Sequence, residues 1–184
     1  MEEGLTERLV SSSPAFAGAL LRVRVDRVEV SQGVLAVREV VEHPGSVVMV
    51  PLQTDGQVVM IRQYRHAVGE VLWELPAGTL RAGEAPEDCA RRELTEEIGY
   101  QAGDLQRLFS LYLAPGYCTE LTHVYLARDL RAARAGADPD ERIRPVPVPL
   151  EQALAMVERG EVRSAQAVCG LLACAGLVGR RGNE

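Results

Sequence analysis

Gly78-Thr-Leu-Arg-Ala-Gly-Glu84, seven further residues, then Arg92-Glu93-Leu94-Thr95-Glu96-Glu97-Ile98-Gly99-Tyr100: the reading of this 184-residue chain turns on these 23 positions. Pro86 suits the first turn of a helix, where its missing N–H costs nothing, and Gly99 stops that helix after about Ile98. Glu93 and Glu97 are four apart and lie one above the other on a single helical face, with Glu96 at its border. Carboxylates this close repel one another unless positive charge sits among them. Hard oxygen donors on one face suit Mg²⁺ or Mn²⁺.

The pattern Gly-x5-Glu-x7-Arg-Glu-apolar-x-Glu-Glu-x-Gly-apolar resembles the signature of the Nudix hydrolases. Gly78, Glu84, Arg92, Glu93, Leu94, Glu96, Glu97, Ile98 and Gly99 stand where it requires them. Tyr100 is aromatic where an aliphatic residue is usual, and still supplies apolar bulk. An acidic helix is ordinarily a solvated face, but so many matches in register argue against that. The resemblance implies an α/β fold, an α/β/α sandwich with a mixed sheet, over roughly residues 35–178. It implies metal-dependent hydrolysis of a nucleoside diphosphate linked to another group. It makes Glu93, Glu96 and Glu97 the metal ligands, joined by the carbonyl of Ala77. Glu84 and Arg92 then orient those carboxylates from behind. Mg²⁺ is the expected ion, with Mn²⁺ or another divalent cation as substitute.

Working outward, Leu21 to Val30 alternates apolar and polar residues, as a half-buried strand does, and Ser31-Gln32-Gly33 turns the chain into a second strand, Val34 to Val41. Residues 21–41 therefore read as an antiparallel β-hairpin added to the N-terminal side of the core. Residues 1 to about 18 read as loosely ordered. Val47–Leu52 and Val58–Tyr64 are apolar runs joined by Thr54-Asp55-Gly56-Gln57, a strong hairpin signal. Further strands are expected at Val71–Leu75, Leu105–Leu113 and Leu121–Ala127. A polar, flexible stretch follows from Arg131 to Arg144. Val146 and Val148, framed by Pro145, Pro147 and Pro149, suit an edge strand. Helices are expected over Leu150–Arg159 and from Ser164 to about Leu177. The domain division expected is 1–42, an N-terminal segment and hairpin serving dimerisation, and 43–184, the hydrolase domain.

Composition bounds the rest. A hydrophobic content of 47% argues against disorder, and a net charge of −6 disfavours nucleic acid as partner. Glu2, Glu3 and Glu7 are unlike a secretory leader, and Val168–Gly179 is too short to span a bilayer, so a cytoplasmic protein without membrane association is expected. Cys89, Cys118, Cys169 and Cys174 lack metal-ligand spacing, and His43, His66 and His123 are dispersed, which disfavours zinc. Cys118 lies in an expected substrate loop, where a bystander thiol is the simpler reading.

The flanks carry the substrate. Val41–Val47, Ile61–His66, Trp73–Gly78 and Ala114–Glu120 look like the ADP-ribose pyrophosphatase branch, with Pro115 at that branch's place beyond the signature. The resemblance implies conversion of ADP-ribose to AMP and ribose 5-phosphate, a small-molecule substrate, and a homodimer exchanging N-terminal hairpins. It places Arg38 and Arg65 on the diphosphate or the substrate's edge, where a guanidinium fork suits the task. Glu120 falls to a ribose or the metal shell, and Glu141 to the catalytic base, with Asp138 and Asp140 as rivals for that role. Arg62 reads as a surface residue. The runner-up keeps the chemistry and changes the substrate to ADP-glucose or GDP-mannose. A ligand sensor of the same fold would be expected to lose box carboxylates or gain a basic recognition helix, and neither is seen.

Overall fold

The computed structural model describes residues 4–134 and 142–181. Contacts divide the chain into two units, residues 1–45 with 112–121, and residues 46–111 with 122–184.

In the first unit, strands β1 (Arg8–Ala17), β2 (Arg22–Ser31) and β3 (Val34–Glu42) form an antiparallel sheet in the order β1-β2-β3. The expected hairpin is β2–β3, turning through Gly33 at φ 73°. The reading of residues 1 to about 18 as loosely ordered is corrected by β1. Every residue of β1 is exposed, so no apolar alternation advertises it, and its ladder to β2 defines it. Pro14 is accommodated because the register shifts between Pro14 and Phe16. The Ala114–Glu120 loop belongs to the same unit. It is tied to β3 by the Val41 amide donating to the Tyr117 carbonyl at 2.7 Å and the Thr119 amide donating to the Val41 carbonyl at 3.0 Å.

The second unit holds β4 (Ser46–Pro51), β5 (Gln57–Arg65), β6 (Glu70–Glu74), β7 (Ala77–Thr79), α1 (Pro86–Ile98), β8 (Tyr100–Tyr112), β9 (Leu121–Ala132), β10 (Ile143–Pro149), α2 (Leu150–Glu158) and α3 (Ala165–Arg181). One sheet runs β7-β4-β9-β8 and is mixed, since β4 and β9 are parallel while β4 and β7 are antiparallel. The other runs β10-β5-β6 and is antiparallel.

The hairpin expected between β4 and β5 is half right. Gly56 turns at φ 82° and the Gln53 amide donates to the Gln57 carbonyl at 2.8 Å. Pairing then stops at a single Leu52–Val58 bridge, and the two strands enter different sheets. Each strand is taken by other partners, β4 by β7 and β9 and β5 by β6 and β10, and their continuous apolar runs are covered on both faces. Val47, Met49, Val59, Ile61, Tyr125 and Ala127 pack with Leu94 and Ile98 of α1. Val48, Val50, Val58, Met60, Val124 and Leu126 pack instead with Ala153 and Met156 of α2 and Leu171 and Cys174 of α3. Helices on both faces make this an α/β/α sandwich.

Both ends of the stretch expected to be flexible are strand, since β9 continues to Ala132 and β10 starts at Ile143. In β10 the prolines alternate and, among the described residues, the strand pairs only with β5, so their missing N–H groups can share the unpaired edge. Among the described residues, no helix is long and apolar enough to cross a membrane.

Candidate active site

Helix α1 is built for its position. Its N-cap, Ala85, offers no side-chain hydrogen bond, but proline begins the helix and Glu87 and Asp88 sit in the first turn, where the helix dipole favours acids. Gly99 closes it in the left-handed region at φ 71°, its amide donating to the carbonyls of Leu94 and Thr95. The helix buries Cys89, Ala90, Leu94 and Ile98 and, with them, two carboxylates, Glu93 and Glu97. Buried acids need partners, and the signature supplies them.

Arg92 is the hub. Its Nε donates to Glu84 Oε1 at 2.8 Å and its Nη2 to Glu84 Oε2 at 3.0 Å, a two-pronged grip. Its Nη1 donates to Glu93 Oε1 at 2.6 Å and to Glu96 Oε2 at 2.9 Å. The Thr79 carbonyl and the Cys89 sulfur lie at 3.4 and 3.3 Å from Nη2. The backbone amide of Arg81 donates to Glu84 Oε2 at 2.9 Å. Held by the guanidinium first and by this amide, the Glu84 carboxyl falls to about 2, while Arg92 is pushed still higher than its ordinary value. Burial pushes the Cys89 thiol up to about 12.

Glu97 is fixed differently, by the Ala77 amide donating to its Oε2 at 2.9 Å. The contact seen at Ala77 thus runs through its N–H. Gly78 is required by close approach. A Cβ there would stand 2.0 Å from Cδ and Oε1 of Glu93. The chain and the helix therefore touch at the carboxylate itself.

These residues fit a hard divalent cation by their donor chemistry. Glu93, Glu96 and Glu97 present carboxylate oxygens from adjoining positions of one helix beside Ala77. Among the described residues, no three acidic, histidine or cysteine side chains converge as a ready-made metal cage. Glu93 and Glu96 are gathered on Arg92, which supplies positive charge among them.

Of the residues expected on the substrate, Arg65 is in this unit. Its Nε donates to Glu74 Oε2 at 2.7 Å, so its two terminal nitrogens are not spent on that bond. Glu74, 7% exposed, is a partner the sequence reading missed. Its signal was an acid at the end of an apolar strand, three residues before Ala77. Arg62 stacks over the Trp73 ring at 5.1 Å, in keeping with a surface role.

Arg38, Pro115 and Glu120 belong to the other unit. There Arg38 is ion-paired with Glu7, and Glu120 lies 4.0 Å from His43 Nδ1. Glu141, Asp138 and Asp140 lie outside the described residues. A cleft of about 280 Å³ lined by Leu52, Thr54, Asp129 and Leu177 opens past the end of β4, beside the C-terminal half of β9. Gly78 pairs with Val47 near the start of β4, so this cleft is separate from the glutamate cluster.

Residues 42–169 match the NUDIX domain family model. The chain is 42% identical over 167 residues to an ADP-ribose pyrophosphatase of Mycobacterium tuberculosis, covering 89% of this chain and 81% of that one. It is 36% identical over 166 residues to an ADP-ribose pyrophosphatase of Bacillus subtilis, covering 89% and 90%. A solved structure described as an ADP compounds hydrolase superposes with a TM-score of 0.87 at 25% identity, covering the whole of both chains.

Proposed function

The chain belongs to the NUDIX domain family, and from that premise we propose that it hydrolyses the pyrophosphate bond of ADP-ribose, releasing AMP and ribose 5-phosphate. The observation carrying this reading is the Arg92-centred glutamate set beside Ala77, on a chain similar over most of its length to proteins named for that activity.

Cleaving a P–O–P bridge needs charge neutralisation at the phosphates and an activated water. A divalent cation, Mg²⁺ in our reading and Mn²⁺ as substitute, supplies both when bound. Glu93, Glu96 and Glu97 with the Ala77 carbonyl would hold it. The protein's own part is preorganisation. Glu84 anchors Arg92, Arg92 fixes the rotamers of Glu93 and Glu96, and the Ala77 amide fixes Glu97. Arg65, pinned through Nε by Glu74, offers its terminal nitrogens to the diphosphate. Arg38, Pro115 and Glu120 are proposed substrate contacts by resemblance alone, and Glu141 is the proposed base on the same footing.

Purified protein with Mg²⁺ is to be given ADP-ribose, ADP-glucose, GDP-mannose and NADH in parallel, with products identified chromatographically. AMP and ribose 5-phosphate from ADP-ribose, at the highest kcat/KM of the four, is the expected outcome. Glu97→Gln should lower kcat by roughly a hundred- to a thousandfold, the scale of losing one key electrostatic group. Glu141→Gln should lower kcat at saturating substrate too, and an unchanged rate removes Glu141 as base. Preference for GDP-mannose or ADP-glucose would retain the box chemistry and replace the substrate.

A homodimer formed through residues 1–42 and a cytoplasmic location complete the proposal. Exposed Leu9, Phe16, Leu35 and Val37 on the β1-β2-β3 sheet support the dimer.

A further inference from the structure

Within the second unit, among the described residues, the amide oxygen of Gln63 is the buried side-chain polar atom with no hydrogen-bond partner. Gln63 is 9% exposed. Leaving such an atom unsatisfied costs the desolvation of the group with nothing in return. A free molecule that keeps this arrangement has an acceptor set aside.

The strand pattern says which way it faces. Gln63 follows Val59 and Ile61 at alternate positions of β5, and those two pack against Leu94 and Ile98 of α1. Its ladder partners are Leu72 of β6 and Ile143 of β10, and Ile143 packs on the same cluster. Arg65 is the next residue on this face, about 7 Å further along the strand. Arg65 in turn is bonded to Glu74, whose ladder partner is Ile61. Three residues beyond Glu74 the chain reaches Ala77, whose amide holds Glu97. Gln63, Arg65 and Glu74 therefore form a polar row on the face carrying the signature helix.

We propose that Gln63 reads the substrate's sugar, its side chain turning out of the packed strand face as the sugar seats so that the amide oxygen accepts a hydrogen bond from a ribose hydroxyl next to the diphosphate that Arg65 holds. The chemistry selects this group. The unsatisfied atom is an acceptor, so a phosphate oxygen, itself an acceptor, cannot answer it, whereas a sugar hydroxyl beside that phosphate can. The assignment rests on the reading of the protein as a diphosphate-sugar hydrolase and adds a specificity residue to it.

Gln63→Met keeps the length and volume of the side chain and removes the acceptor. It is to be compared with the parent for kcat and KM on ADP-ribose and for thermal midpoint without ligand. A midpoint no lower than the parent's is expected, because an unsatisfied buried atom has been replaced by an apolar one. KM should rise about fivefold, the scale of one neutral hydrogen bond, with kcat within about twofold. The KM-against-kcat split decides the matter. Unchanged KM overturns the assignment, and so does a parallel loss in kcat, which marks a merely structural glutamine. If the parent hydrolyses another of the four diphosphate compounds instead of ADP-ribose, the substrate reading has failed separately, and the same ratio is read on that compound.

Discussion

Glu84 touches no proposed substrate group, yet its carboxyl is held at about 2 against an ordinary 4.5, chiefly by Arg92. A depressed carboxylate contributes stability that is complete above the unfolded value and is lost as the folded form takes up its proton. Glu84→Gln should therefore lower the denaturation midpoint at pH 7. The gap between variant and parent should narrow as pH falls from about 4.5 toward about 2, on the same linkage. Urea titrations at several pH values read it directly, and a gap independent of pH over that range would contradict the ion-pair account. Activity should fall as well, because Arg92 without Glu84 no longer has its two-pronged anchor while it positions Glu93 and Glu96.

Helix α1 and the strand before it meet at Gly78, and this sets the prediction for the element. In Gly78→Ala the new methyl would collide with the far end of the Glu93 side chain, which can swing aside. Stability should drop only modestly, while kcat falls at least about tenfold because the displaced carboxylate is one the chemistry needs. Calorimetry beside steady-state kinetics tests the separation. A large loss of stability would mean that the backbone rather than the carboxylate had yielded.

This helix was also the most legible element, because proline at one end and glycine at the other are local signals, and its ends fall at Pro86 and Ile98. Local signals failed where partners decide. The turn at Gly56 was readable, but the departure of β4 and β5 into separate sheets depends on β9 and β10, far along the chain. β1 was unreadable because its Arg-Leu-Val-Ser-Ser-Ser-Pro sequence buries nothing and is ordered by β2 alone. At the site, spacing revealed the carboxylates and Arg92. It could not reveal that Glu74 takes Arg65, or that Gln63 is left with an unanswered oxygen, since both need the register of β5 on β6.

For the molecule as a whole, a three-stranded sheet with apolar side chains left outside is the feature that calls for association. Light scattering at micromolar concentration should give twice the chain mass of 20.0 kDa, and a monomer there would remove the role proposed for residues 1–42. The cysteines give access to a different global property. Cys89 lies fully buried under α1 on one side of the sheets, and Cys174 lies fully buried under α3 on the other. Burial keeps both thiols protonated near neutral pH, so neither can react until its own layer lifts. With Cys118 and Cys169 replaced by alanine, the two remaining thiols become clocks for opposite faces of one domain. Equal labelling rates in a disulfide reagent would mean that the sandwich opens only as a unit. Faster reaction at Cys89 would mean that the helix bearing the glutamates comes loose by itself, at a rate readable in seconds or hours without any substrate present.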